Sequence, residues 1–131
     1  MSSIKEPVIR LLGLSPYQTV WDTMRTWTQQ RTADTPDELW CLEHPSVLTQ
    51  GQAGRPEHLL KPTDIPIIQT DRGGQITYHG PGQLIIYTLI DLKRKTYGVS
   101  SLVTRIERAV IHYLNTLDIQ ATTNPTARGI Y

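Results

Sequence analysis

One stretch constrains this chain more than any other: Asp71-Arg-Gly-Gly-Gln-Ile-Thr-Tyr-His-Gly-Pro-Gly-Gln83. Gly73 and Gly74 permit positive φ and let backbone or ligand approach with no Cβ in the way. Gly80-Pro81-Gly82-Gln83 meets the type II turn rule, with Pro at the second position and Gly at the third. Directly after it, Leu84-Ile-Ile-Tyr-Thr-Leu-Ile90 is almost continuously apolar. A strand without alternation is expected to be covered on both faces, hence central in its sheet. A backbone-exposed loop feeding such a strand is a common site architecture. Arg72, Thr77, Tyr78 and His79 supply its hydrogen-bonding groups. Taken as two glycines alone, a plain connecting hairpin is the better reading.

Around this loop the chain reads as short strands with two amphipathic helices. Pro7 to Leu12 is a short apolar strand closed by Gly13. Ser15-Pro16-Tyr17-Gln18 is a helix-start signature, with Ser15 as cap and Gln18 as its capping-box partner. Tyr17, Val20, Trp21, Met24 and Trp27 then recur at helical spacing, and the helix is expected to end before Asp34. Leu39–Leu42, Ser46–Thr49 and Ile65–Gln69 read as strands, and Gly51 to Thr63 as a long loop. A second helix, capped by Ser100 or Ser101, carries Leu102, Val103, Ile106, Val110, Tyr113, Leu114 and Leu117 on one face. Ile119–Thr122 and Gly129–Tyr131 look like the beginnings of strands. The pattern predicts a mixed α/β (α+β) single domain over residues 1–131, without repeat or linker.

Thirteen Lys and Arg balance twelve Asp and Glu. So even a balance gives no bulk electrostatic case for nucleic acid or an anionic membrane. The start has no apolar signal region, and no apolar run approaches the roughly 20 residues that span a bilayer. Cys41 is the only cysteine, which excludes an intramolecular disulfide and fits a reducing compartment. The expected location is the cytoplasm. With four scattered histidines and one cysteine, no zinc spacing appears, and no metal or cofactor is expected.

The pattern Arg-Gly-Gly-x-x-Thr-Tyr-His-Gly-Pro-Gly-Gln resembles the signature of the lipoyl(octanoyl) transferases, and every fixed position of it is present at Arg72 to Gln83. Glu43-His44-Pro45 with Val47, Thr49 and Gly51 matches the segment that precedes the loop in that family. Leu84 to Leu92, the helix after Gly98, and Pro125 to Tyr131 follow in the family's order. The resemblance runs from about Val8 to Tyr131. It implies a lipoate/biotin protein ligase-like catalytic domain: mixed sheets flanked by helices, with an acyl chain in a pocket walled by this loop. The implied activity is transfer of octanoyl from acyl carrier protein to a lysine of lipoyl domains, those of 2-oxoacid dehydrogenases and the glycine cleavage H protein. Carried over by position, Arg72, Gly73, Gly74, Gln75, Ile76, Thr77, Tyr78 and His79 would line the substrate site. Gly80 to Gln83 would hold the turn.

The family's nucleophilic cysteine and its partner lysine have no counterpart here. They are expected beyond Tyr131, in a domain truncated at its C-terminus. Cys41, between Trp40 and Leu42, reads as a small buried hydrophobe. Lys5, Lys61, Lys93 and Lys95 do not match the family's lysine. Lys93-Arg94-Lys95 reads as a solvated strand end, with docking of acidic carrier protein as the alternative. His79 is expected to position ligand or brace the loop; His44 and His112 get structural readings. Two other functions stay open: a non-catalytic acyl- or carrier-binding remnant, and a relative of the ATP-using lipoate–protein ligases. Against the latter, the extended Gly-Gly-Gly and Phe-His arrangement of those ligases is absent.

Overall fold

The computed structural model describes residues 6–52 and 64–131. Most of the expected 51–63 loop, together with Lys5 and Lys61, lies outside them. The chain divides into two compact units, the first ending at Ile90 and the second running from Asp91 to Tyr131.

In the first unit, β1 (Val8–Leu14), β2 (Glu38–Glu43) and β6 (Ile85–Leu89) form one sheet in the order β1-β2-β6. β1 lies parallel to β2, and β6 antiparallel to it. The parallel pairing requires a crossover, and helix α1 (Tyr17–Gln30) supplies it. β2 alternates buried and half-buried residues, so Trp40 and Leu42 face α1 while Leu39 and Cys41 face away. Val20, Trp40 and Leu42 form the core, with Met24, Trp27, Ile85, Tyr87 and Leu89 packed against it. Glu38 shares that buried face. Its carboxylate takes a two-point bond from Arg10 at 2.5 and 3.0 Å and the Trp40 indole N–H at 2.8 Å. The Arg10 hydrogen bond holds Glu38 below the usual carboxylate range.

A second three-stranded sheet has the order β4-β3-β5, with β3 (Val47–Gln50) between β4 (Ile67–Gln69) and β5 (Ile76–His79). β3 pairs parallel with β4 and antiparallel with β5.

Two expectations of the first unit fail here. The apolar run at Leu84–Ile90 is not central: among the described strands β6 pairs only with β2, and β2 holds the middle. Leu84 and Ile86 are 68% and 50% exposed. The run reports two apolar faces, of which α1 covers one. Ser15 is not the cap of α1 either. The cap position falls on Pro16, without a side-chain cap bond. The Ser15 hydroxyl turns back to the Leu12 carbonyl, and Gln18 reaches Asp22.

The second unit contains the short helix α2 (Leu92–Lys95), the long helix α3 (Val99–Thr116) and the hairpin β7 (Thr123–Asn124) and β8 (Ala127–Ile130). Lys93-Arg94-Lys95 is thus helical, capped by the Asp91 carboxylate on the Arg94 N–H. α3 begins one residue before the expected serines, with Gly98 as its cap position. The strand expected at Ile119–Thr122 gives way to the hairpin that follows it. Glu107 is the only buried residue of α3. It accepts the Gly129 N–H at 3.0 Å and pairs with Arg128 at 3.2 Å, tying helix to hairpin through polar groups.

Candidate functional site

The Gly-rich loop is fastened to the end of β3. Arg72 aims its guanidinium back at that strand. Nη2 donates to the Thr49 carbonyl at 2.6 Å, the Thr49 hydroxyl at 2.9 Å and the Gln75 carbonyl at 2.8 Å. Nη1 donates to the Gly73 carbonyl at 2.7 Å, and Nε to the Thr49 hydroxyl at 3.3 Å. Main-chain bonds reinforce it: Gly51 N–H to Gln75 O at 3.0 Å and Gln52 N–H to Arg72 O at 2.9 Å. Gly51 has to be glycine, because a Cβ there would collide with the Gly73 and Gly74 carbonyls. Gly74 itself sits at φ +88, where a side chain is strained.

At the other end the expected turn is present. Gln83 N–H donates to Gly80 O at 3.2 Å, and Gly82 has φ +90, as a type II turn demands. The Glu43 carboxylate, at the end of β2, accepts the Gly82 N–H and so joins this turn to the first sheet. A Cβ on Gly80 would run into the Tyr78 phenol.

Strand alternation divides the expected site residues. The register pairs Thr77 with Thr49 and His79 with Val47, the buried positions of β3. Ile76 and Tyr78 therefore point to the opposite face. Tyr78 reaches the Ser46 hydroxyl at 3.0 Å. His79 bonds Gln83 at 3.1 Å and stacks on Tyr17, ring centroids 6.1 Å apart and planes within 10°.

Beside His79 lies a cluster that sequence reasoning missed. Tyr17 contacts His44 at 5.0 Å between centroids, and His44 in turn faces His79 at 6.2 Å and Tyr87 at 5.9 Å. His44 is fully buried. Its Nδ1 lies 2.7 Å from the Ser15 carbonyl and its Nε2 2.8 Å from the Tyr87 hydroxyl. A carbonyl only accepts, so Nδ1 carries the proton, and neutral Nε2 accepts the Tyr87 O–H. Burial lowers the His44 pKa, partly offset by Ser15 O, and His79 lowers it further. Burial likewise raises the Tyr87 and Tyr17 phenols; for Tyr17, Arg72 pulls the other way and Asp71 adds to the rise. Tyr17 thus lies within electrostatic reach of both the loop and the histidines. The signal for His44 was its place in Glu43-His44-Pro45; nothing local distinguished Tyr17 or Tyr87 from ordinary core aromatics.

The loop is thus fastened at both ends and lined by glycines, with a histidine–tyrosine cluster beside it in which His44 and Tyr87 hold each other. Cys41 is half-buried on the side of β2 away from this cluster, because it alternates with Trp40, whose face Tyr87 shares by pairing. The Cys41 thiol therefore does not join the site.

Solved structures share this fold. A T. acidophilum protein with bound lipoic acid superposes with a TM-score of 0.70 at 18% identity, over 97% of this chain and 55% of its own. A lipoate-protein ligase A bound with ATP gives 0.64 at 18% identity, over 92% and 50%. The lipoyl protein ligase A/B catalytic domain model matches residues 16–131, and the chain belongs to that family. Among curated relatives, the octanoyltransferase of Pseudomonas putida (strain GB-1) is 57% identical over 93% of this chain and 57% of its own length. That of Aeromonas salmonicida (strain A449) is 56% identical over 95% and 55%. The chain spans little more than half the length of these relatives.

Proposed function

We propose that this chain carries the acyl-binding part of an octanoyltransferase that moves octanoyl from acyl carrier protein to a lysine of lipoyl domains in the cytoplasm. The observation that carries the reading is the doubly fastened loop, its His79 stacked on Tyr17 beside buried His44. In this reading Arg72, Gly73, Gly74, Gln75, Ile76, Thr77, Tyr78 and His79 form the wall of the acyl site. Two relatives at 56–57% identity carry the octanoyltransferase name, which supports this activity over ATP-dependent ligation, favoured only by fold likeness at 18% identity. The family match runs across both compact units, which supports treating them as parts of one domain.

The acceptors would be the lipoyl domains of 2-oxoacid dehydrogenases and the glycine cleavage H protein. Exchange of one thioester for another is nearly neutral in energy, so a thiolate nucleophile suits such a transfer. Cys41 is not proposed for that role.

Titration of the protein with S-octanoyl-pantetheine, followed by amide chemical shifts, tests the reading. Shifts should concentrate on residues 72–79, Tyr17 and His44. Shifts confined elsewhere, or a covalent octanoyl adduct on Cys41 by mass spectrometry, would overturn it.

A further inference from the structure

We infer that Arg72 is a positioning residue, whose guanidinium locks the loop into shape and pairs with no charged group of the ligand. All three guanidinium nitrogens donate inside the protein, to four acceptors on Thr49, Gly73 and Gln75. Thr49 is fully buried, so two of those acceptors have no water to replace the arginine. The planar fork spans two segments at once, the end of β3 and the turn leading into β5. A lysine, with one compact donor group, cannot bridge both. The backbone repeats the logic on the same few residues: Gln52 N–H bonds Arg72 O, and Gly51 meets the Gly73 and Gly74 carbonyls with no space for a Cβ. A loop gripped by guanidinium, main-chain bonds and close glycine contact presents one conformation to whatever binds on it.

The charge of Arg72 is thereby turned to protein carbonyls. The residue serves ligand binding through the geometry of Gly73 to Gln75 and the strand they start, not as a cationic partner for a carboxylate.

Two measurements on the 131-residue protein test this. The first, hydrogen exchange, does not depend on the acyl-site reading. R72K should lose amide protection at Gly51 and Gln52 by about tenfold or more, as expected when charged hydrogen bonds are removed, with the β2–β6 ladder unchanged. T49V keeps the fold's volume and the Thr49 carbonyl, and should show a smaller loss at the same amides; it serves if R72K fails to fold. Millimolar guanidinium should restore protection to R72A. Unchanged exchange at Gly51 and Gln52 in both R72K and T49V overturns the inference.

The second rests on the proposed acyl site and compares two probes, S-octanoyl-pantetheine and octanoate. Positioning predicts that R72K and R72Q weaken both probes by the same factor. A selective loss of octanoate in R72Q would show that Arg72 pairs with the ligand's carboxylate, and would overturn the inference. If neither probe binds the unsubstituted protein, the acyl-site reading fails, and the exchange measurement alone decides the role of Arg72.

Discussion

Strand β2 and helix α3 both offer an apolar face, and the two faces end in opposite states. In β2, Trp40 and Leu42 are 4% and 2% exposed, sealed by α1 and by β6. In α3, Val99 and Tyr113 remain 67% and 62% exposed, and the buried position is the acidic Glu107. Periodicity states which face an element can bury. Whether it does so depends on a second element reaching that face. β2 finds α1 within its own unit; in the second unit the hairpin meets α3 through Glu107, Arg128 and Gly129 instead.

The sharpest break of this comparison is Trp40→Ala, which should cost about 3–5 kcal/mol, the usual range for a buried Trp truncated in a core. Urea unfolding followed by the remaining tryptophans reads it, and a loss below 1 kcal/mol would mean the β2–α1 core is not the main source of stability. Next in size, Gly51→Ala should cost about 1–3 kcal/mol, since the loop backbone has to move away from the new methyl. Its effect should stay local, as increased exchange at Gln52 and Gln75 ahead of any change in α1.

His44→Gln comes third, at about 1–2 kcal/mol for imperfectly replaced bonds to Ser15 O and the Tyr87 hydroxyl. It carries a pH signature. The folded-state pKa of His44 lies below its ordinary value near 6.5. Between that depressed value and about 6.5 the unfolded chain binds more protons, so stability falls as pH drops through this window and levels off beneath it. Glutamine should flatten that slope. Glu38, held low by Arg10, sheds its contribution only in more acidic solution, as pH falls through the carboxylate range, so the two effects separate on the pH axis. The smallest expected effect is Val110→Ala on α3, within about 0.5 kcal/mol as for exposed substitutions. A loss comparable to that of Trp40 would show that the α3 face is covered in solution.

Local chemistry made part of this molecule legible in its sequence. The Gly80–Gln83 turn follows from Pro and Gly at fixed offsets, and α1 follows from the recurrence of Tyr17, Val20, Met24 and Trp27. Both are decided within a few residues. The edge position of β6 was not legible, because Leu84–Ile90 encodes apolarity and not the number of strand neighbours. Nor was the cap of α1, where Ser15 had a competing acceptor in Leu12 O. The cluster beside the loop was hidden for a different reason: His44 and Tyr87 lie 43 positions apart, and only the β2–β6 pairing with the α1 crossover brings them together. Sequence could not sort the loop residues by face; the β3 register did that, sending Thr77 and His79 one way and Ile76 and Tyr78 the other.

The proton on His44 Nδ1 also gives the molecule a built-in reporter. Sealed from solvent and shared with a carbonyl, it should exchange slowly and appear as a far-downfield line in a one-dimensional proton spectrum. Three chain segments have to be in place to hold it: the entry to α1, the exit of β2 and the middle of β6. The intensity of that single line would follow their assembly in real time, without label or ligand.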